Sequence, residues 1–272
     1  MNVLHRNNVH VSTHHVNKPT LLYAHGFGCS QAMWNNVIPA FKEKAKQISF
    51  DFVGSGQSDI ADYSFERYRR LEGYAQDVIE ICDALKLDSD VIFIGHSVSC
   101  SIGVLVANER PNLFKKMIFL GPSPCFLNMP PDYQGGFERA DLEGLLELMD
   151  QNYLGWASYL GPVVAGTDAD PKISGQLSDS FCSTDPIITR HFAKATFFSD
   201  NREDFTKLEV PSLILQHKED ALASVEVGKF LHQHIPNSTL QILDVAGHAA
   251  HMSHPHLVID AIEEYLRSDL PA

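Results

Sequence analysis

The feature that most constrains the fold of this chain of 272 residues is the alternation of short apolar runs with helical segments. The strand-like runs lie at 20–24, 47–52, 91–94, 117–120, 211–216 and 239–243, with a short edge strand expected at 8–11. The helical patterns lie at 31–41, 72–85, 100–109, 224–234 and 255–267. Strands that alternate with helices form βαβ units, so we predict an α/β fold with a mostly parallel sheet and helices on both faces. Ligands of such sheets bind beyond the carboxyl ends of the strands.

The pattern changes in the middle of the chain. Strand-like runs are missing from residue 126 to 198, and helical patterns with many aromatic residues cover 142–154 and 186–198. We predict that residues 126–198 form a helical cap, or lid. Residues 1–125 and 199–272 then form the core domain into which the cap is inserted.

Composition limits the partners and the cellular location. The formal net charge of −13 disfavours nucleic acids and anionic membranes as partners. Five cysteines without a CxxC motif indicate free thiols in a reducing compartment. The N-terminus has no apolar signal core, and no apolar run reaches the roughly 20 residues that span a bilayer. We therefore expect a cytoplasmic protein that has no membrane partner.

A serine lies in a turn between a predicted strand and a predicted helix. The segment Gly95-His96-Ser97-Val98-Ser99 follows the apolar run at 91–94 and precedes the helical pattern at 100–109. This strand–turn–helix context is that of a nucleophile elbow, which exposes the hydroxyl of its serine, here Ser97. Ser99 stands where the usual G-x-S-x-G pattern has glycine, and a strongly positive φ at that position would cost energy.

A serine nucleophile needs a base and a carboxylate that orients the base. In elbow-type hydrolases the chain order is serine, acid, histidine. Asp220 follows the run at 211–216, with Glu219 as its competitor, and His248 follows the run at 239–243. The other candidate bases are His251, His254 and His256, but only His248 follows a glycine in a turn at the end of a strand.

Acyl transfer also requires donors for the developing oxyanion. The residue after the nucleophile supplies one backbone N–H, here Val98. The glycine-rich loop after the first clear strand, His25-Gly26-Phe27-Gly28, supplies the other, which we assign to Phe27. A plain tight turn would be the alternative interpretation of this loop.

These motifs together resemble the α/β-hydrolase superfamily. The resemblance rests on the glycine-rich loop at 25–28, the segment 51–56, the elbow, Gly121-Pro122-Ser123-Pro124, Asp220 and Gly247-His248. More narrowly, segments 73–78, 181–186 and 251–255 resemble the RsbQ-like bacterial stress-signalling hydrolases, which are similar to the plant karrikin and strigolactone receptors. The resemblance implies a Ser97–His248–Asp220 triad that acts on a small hydrophobic ester, lactone or enol ether. It also implies a role in sigma-factor regulation, with a PAS-domain protein phosphatase as partner.

The resemblance further implies an apolar pocket under the cap. Candidate wall residues are aromatic, and we expect about half of them to be core residues instead. They are Phe27, Phe126, Phe137, Trp156, Tyr159, Phe192 and Phe197.

Other classes of function share some of these features with a serine hydrolase. A ligand-sensing module with slow or no turnover would retain the same triad. A metal site could use His248, His251, His254 and His256, but no HExxH motif is present, so we predict neither metal nor cofactor. The glycine pairs at 26–28 and 54–56 lack the further features of a dinucleotide site. A haloalkane dehalogenase would carry aspartate at the elbow.

Overall fold

The computed structural model describes residues 2–12 and 18–270, and its centre is a seven-stranded sheet. The strands are β1 His10–Val11, β2 Thr20–Ala24, β3 Lys46–Ser49, β4 Val91–His96, β5 Phe114–Leu120, β6 Ser212–Glu219 and β7 Ser238–Ala246. Their order across the sheet is β1-β3-β2-β4-β5-β6-β7. β1 pairs antiparallel with β3, and the other pairs are parallel. The predicted fold class is thereby confirmed.

Helices connect the strands. They are α1 Val3–Arg6, α2 Leu71–Ala84, α3 Val98–Glu109, α4 Arg139–Gln151, α5 Tyr153–Ala165, α6 Pro171–Cys182, α7 Pro186–Phe197, α8 Arg202–Thr206, α9 Val225–His234, α10 Ala250–Ser253 and α11 Pro255–Tyr265. Short 3₁₀ helices cover Gln31–Trp34, Ile38–Phe41, Ile60–Asp62 and Arg67–Arg69. None of the helices within 2–12 and 18–270 has the length and apolar character needed to cross a membrane.

Two predicted elements differ from those observed. The helix expected over 31–41 is split into two 3₁₀ helices, because Pro39 has no N–H to continue an α-helical ladder. The strand expected over 47–52 ends at Ser49. Beyond it, the amide of Asp51 donates to the carbonyl of Asn7, so the chain has left the sheet.

The register of the central strands brings their carboxyl ends together. Ala24 at the end of β2 pairs with Gly95 near the end of β4. All six residues of β4 are buried, which requires cover on both faces of the sheet. The glycine-rich loop after β2 and the turn after β4 therefore leave the sheet side by side.

Five helices, α4 to α8, lie between β5 and β6 in the sequence, and we call the first four, α4 to α7, the helical insertion. The predicted helix over 142–154 ends at Gln151, because Asn152 begins the next helix and its side chain accepts a hydrogen bond from the amide of Gly155. Helices α5 and α6 were not predicted. Division into a core domain and a cap with boundaries at 126 and 198 stays a prediction, and residues 1, 13–17 and 271–272 of that division lie outside the described residues.

Candidate active site

The turn between β4 and α3 holds Ser97 in a rare backbone conformation. Its φ is 56° and its ψ is −122°, which costs a non-glycine residue about 1–3 kcal/mol. Two hydrogen bonds stabilise the turn: the Ser97 amide donates to the Leu120 carbonyl at 2.9 Å, and the Cys100 amide donates to the Ser97 carbonyl at 2.9 Å. Such strain points to a functional position, because the surrounding structure must maintain it.

Ser97, His248 and Asp220 are joined by hydrogen bonds although they are far apart in the sequence. The Ser97 hydroxyl lies 2.8 Å from Nε2 of His248. On the other side of the imidazole, Nδ1 lies 2.7 Å from Oδ2 of Asp220. Asp220 follows β6 directly, and His248 comes two residues after β7. The three side chains have the order and contacts of a nucleophile, a base and an orienting acid.

The environment of Asp220 favours its charged form. Burial alone would raise its pKa, but the charge of His248 and hydrogen bonds from His217 and His248 hold the pKa of this carboxyl well below its ordinary value. Oδ1 also accepts hydrogen bonds from the amides of Leu222 and Ala223. The competing acid, Glu219, is exposed at the end of β6.

The other candidate bases do not reach Ser97. His251 is fully buried between the rings of Trp34 and His96, at centroid distances of 4.6 and 4.5 Å. Burial, together with the nearby His217 and His248, lowers the pKa of His251 well below its ordinary value. His254 lies 3.9 Å from Asp168 and His256 is exposed.

The glycine-rich loop that carries Phe27 lies close to the elbow. His25 shapes this loop: its Nδ1 donates to the carbonyl of Gly26 at 2.8 Å, and its Nε2 accepts from the amide of Phe52 at 3.0 Å. A Cβ added to Gly26 would lie 2.4 Å from Nδ1 of His96, the residue before Ser97. Only glycine allows this approach of the loop to the elbow.

The two backbone amides that we predict as oxyanion donors belong to Phe27, in this loop, and to Val98, at the N-terminus of α3. Val98 is the first residue of α3, so its N–H has no acceptor within that helix. Phe27 follows Gly26 directly in the loop. Their joint role as oxyanion donors stays a prediction.

An apolar cavity lies over Ser97. Residues of the helical insertion and residues next to the sheet both contribute to its lining. The lining residues are Phe27, Cys29, His96, Ser97, Phe126, Leu160, Val164, Phe181, Thr196, Phe197, Leu222 and His248. The volume of this cavity is about 30 Å³. The rings of Phe27 and Phe126 both contact Phe197 edge-on, with centroids 5.5 and 5.2 Å apart. Aromatic packing therefore nearly closes the cavity.

The predicted wall residues divide into three groups. Phe27, Phe126 and Phe197 line the cavity. Trp156 and Phe192 lie behind the lining, where both contact the ring of Phe27, and Phe137 lies behind Phe126. Tyr159 was wrong as a wall residue, because 64% of its surface is exposed.

Sequence reasoning also missed several residues of the site. Leu160, Val164, Phe181 and Leu222 line the cavity, but tertiary packing alone brings them there. His217, at 3.2 Å from Oδ2 of Asp220, was missed as well. Its position three residues before the predicted acid, near the end of the same strand, was the available signal.

Within the described residues, the four histidines of the alternative metal site, His248, His251, His254 and His256, do not form a group of potential metal ligands. Among residues 2–12 and 18–270, the one group with enough potential ligands in reach is His217, Asp220 and His248. Its nitrogen-to-oxygen distances of 3.2 and 2.7 Å are those of hydrogen bonds. Two ligand atoms of one tetrahedral zinc ion, each about 2.0–2.2 Å from the metal, would lie about 3.3–3.6 Å apart, so the 2.7 Å between His248 and Asp220 is the distance of a hydrogen bond.

Comparisons with known proteins agree with this fold and geometry. A family model described as alpha/beta hydrolase fold matches residues 19–255. The chain is 36% identical to the karrikin insensitive 2 receptor CA of Petunia hybrida, over 92% of this chain and 93% of that protein. It is 32% identical to the strigolactone esterase D14 of Arabidopsis thaliana, over 92% of both. Among solved structures, a hydrolase from Oleispira antarctica is 46% identical, with a TM-score of 0.94 over 98% of this chain and 96% of that one.

These matches extend over nearly the whole chain, so they concern the fold and not an isolated motif. The resemblance to this superfamily and to plant karrikin and strigolactone proteins is confirmed. The prediction of an enzyme of the hydrolase type is confirmed at the level of the family. The chain belongs to the alpha/beta hydrolase fold family.

Proposed function

We propose that this protein is a serine hydrolase that cleaves a small hydrophobic ester, lactone or enol-ether-type compound. The observation that carries the proposal is the unbroken series of hydrogen bonds from Ser97 through His248 to Asp220, which begins at the floor of an apolar cavity. A serine is a competent nucleophile at neutral pH only when a base is in contact with its hydroxyl. The distances of 2.8 and 2.7 Å meet that requirement before any substrate is bound.

In the first step, Nε2 of His248 takes the proton of Ser97 while Oγ attacks the substrate carbonyl. Asp220 holds the Nδ1–H tautomer of His248 and stabilises the imidazolium that forms. The tetrahedral intermediate places its oxyanion near the amides of Val98 and Phe27. His248 then returns the proton to the leaving oxygen, and the acyl group remains on Ser97.

In the second step, His248 activates a water molecule. The water attacks the acyl-enzyme, and its proton passes to His248 and then to Ser97 as the acid departs. The product is a carboxylic acid, or the ring-opened acid of a lactone. Of the residues with a role in these steps, Ser97, His248 and Phe27 line the cavity, and Asp220 is hydrogen-bonded to His248.

The cavity indicates the class of substrate. Apart from Ser97, Thr196, Cys29 and two histidines, its lining side chains are apolar. Burial raises the pKa of the Cys29 thiol to about 12. A charged substrate would lose its hydration there without a compensating partner. The cavity volume of about 30 Å³ is far below the roughly 300–1,000 Å³ of ordinary ligand pockets, so we expect the helical insertion or the aromatic rings to move when a substrate binds.

Mass spectrometry after treatment with a serine-directed phosphonate tests this proposal. We expect one adduct, on the peptide that contains Ser97, and a parallel loss of activity towards an activated ester. Ser97→Ala should give neither adduct nor turnover. Ser101→Ala is the matched control, because Ser101 is a buried serine one turn along α3, outside the cavity lining. An adduct elsewhere, or turnover by Ser97→Ala at the wild-type rate, would refute the proposal.

A second candidate function is ligand sensing with slow or no turnover. The nearly closed cavity favours it, because a ligand must change the packing between the helical insertion and the sheet domain to enter. By resemblance, the sensor would act in the cytoplasm in stress signalling, through a PAS-domain protein phosphatase. Capture of that phosphatase by Ser97→Ala only in the presence of ligand would support sensing. Capture that is independent of ligand would count against it.

A further inference from the structure

We propose that His217 is a positioning residue of the triad, which holds the carboxylate of Asp220 in line with His248. This inference rests on the proposed serine-hydrolase function. His217 is fully buried near the carboxyl end of β6, and its Nδ1 lies 3.2 Å from Oδ2 of Asp220. The same oxygen accepts the hydrogen bond from Nδ1 of His248 at 2.7 Å. Two imidazoles therefore share one oxygen of the catalytic acid.

The hydrogen bonds around Asp220 assign a tautomer to His217. An ionised carboxylate only accepts hydrogen bonds and has about four sites for them. The amides of Leu222 and Ala223 occupy Oδ1, at 2.8 and 3.1 Å, and the two histidines occupy Oδ2. His217 must therefore carry its proton on Nδ1. Its Nε2, which is buried and has no partner in the described part of the chain, is then an unprotonated nitrogen.

Several titratable groups surround His217. The titratable groups that face it are Asp220, His248, His251 and His96. The rings of His217 and His248 are 6.3 Å apart and nearly perpendicular. A second proton on His217 would leave a buried N–H without an acceptor and would repel the positive charge that His248 gains during the reaction.

A glycine makes room for the two imidazoles. Gly121, which directly follows β5 and has a φ of +55°, would place an added Cβ 3.0 Å from Cε1 of His248 and 3.4 Å from Cε1 of His217. Both rings thus pack against the same bare stretch of backbone as they converge on Asp220. This packing fixes the direction of each N–H.

His217 has two effects on the reaction through Asp220. First, it restrains rotation of the carboxyl, so Oδ2 stays in reach of His248 as the imidazolium forms. Second, it takes up part of the negative charge on Oδ2, which reduces the support that the carboxylate gives to a protonated His248. Without His217, the base should hold its proton more strongly and be less well oriented.

Two variants separate these effects from a loss of folding. His217→Leu removes the donor to Asp220 and also the buried nitrogen without a partner, while Asp220 keeps the hydrogen bonds from His248 and from the amides of Leu222 and Ala223. His217→Asn keeps an N–H close to the position of Nδ1. The kcat and KM for an activated ester are measured from pH 5 to 9, with active enzyme counted by stoichiometric phosphonate labelling of Ser97.

For His217→Leu, we expect kcat to fall about tenfold, on the order of the effect of losing a hydrogen bond to a charged group. KM should change by less than about twofold, and the acid limb of the kcat/KM profile should move to higher pH. His217→Asn should restore most of kcat and the position of that limb.

The inference is overturned if His217→Leu has wild-type kcat and an unmoved acid limb. It is also overturned if Asn and Leu lower kcat equally while the limb stays in place, because a purely structural role would give that result. Neither outcome affects the proposed function, which fails only if Ser97 is not labelled or is not needed for turnover.

Discussion

The hydroxyl of Ser99 donates a hydrogen bond to the carbonyl oxygen of His25, and this contact ties helix α3 to the loop that carries Phe27. Ser99 is fully buried. It departs from the glycine of the usual elbow pattern, yet the positive φ of the turn falls on Ser97, and Ser99 lies within α3. A side chain at position 99 therefore costs no backbone strain and adds a link between the two proposed oxyanion donors.

Ser99→Gly, which restores the usual G-x-S-x-G pattern, should lower the stability of the folded protein. The substitution removes one buried hydrogen bond, and glycine in the first turn of α3 adds backbone freedom to the unfolded chain. We expect the free energy of unfolding to fall by about 1–2 kcal/mol, measured by urea denaturation. Ser99→Ala loses only the hydrogen bond, so its stability should lie between those of wild type and Ser99→Gly. Equal stability of wild type and Ser99→Gly would contradict this account.

The assignment of the acid can be tested between two adjacent carboxylates. Asp220→Asn should lower kcat by roughly 10³–10⁴-fold, because an amide at this position no longer favours the Nδ1–H tautomer of His248. Glu219→Gln is the matched control, since Glu219 is exposed and should have almost no effect. Steady-state kinetics with an activated ester measures both variants. A larger loss in Glu219→Gln than in Asp220→Asn would reverse the assignment.

The aromatic closure of the cavity should limit the size of the substrate. Phe126 lines the same cavity as Ser97 and packs against Phe197, so Phe126→Ala enlarges that cavity. We expect the ratio of kcat/KM for a longer acyl ester to that for an acetate ester to rise about tenfold, which corresponds to roughly 1–2 kcal/mol of added apolar contact.

Tyr159→Ala is the control for this experiment. Tyr159 is an aromatic residue of the same helical insertion, but most of its side chain is in solvent. Its removal should leave the ratio of the two esters unchanged. If Tyr159→Ala shifts the ratio as much as Phe126→Ala does, the substrate reaches Ser97 by a different side of the insertion.

The parts of the fold that sequence reasoning could predict are those with strong local patterns. Strands β2 and β4 could be located approximately from apolar runs in the sequence, because a fully buried parallel strand is apolar at nearly every position. Asp220 and His248 were found for the same reason, since each follows such a run. Helix α5 was missed because its exposed side also carries hydrophobic residues, among them Leu154 and Tyr159, so its sequence lacks the apolar–polar periodicity of an amphipathic helix.

Contacts made by tertiary packing could not be predicted. The position of His217 three residues before Asp220 is visible in the sequence, but the hydrogen bond between the two depends on the turn after β6. The link from Ser99 to His25 joins residues 74 positions apart in sequence. Tyr159 and Trp156 lie in one helix and are both aromatic, yet only Trp156 is buried, because only its face of α5 contacts the core.

A buried carboxylate on α2 should contribute strongly to stability. The side chain of Asp77 has no exposed surface and accepts hydrogen bonds from Arg6 at 2.8 Å and from the Tyr68 hydroxyl at 2.9 Å. Arg67 also pairs with it. Asp77→Ala would leave these donors partly buried without their acceptor, so we expect the free energy of unfolding to fall by about 3–5 kcal/mol, measured by urea denaturation.

Asp83→Ala on the same helix is the matched control. Asp83 pairs with Arg110 at 3.0 Å, but 55% of its side chain and 35% of that of Arg110 are exposed. Exposed pairs contribute about 0–1 kcal/mol, because water and salt screen them, so this variant should remain close to wild type. Equal losses for the two aspartates would mean that burial does not decide the strength of the Asp77 network. A small loss for Asp77→Ala alone would mean that Glu80, which also pairs with both Arg6 and Arg67, suffices to hold these arginines.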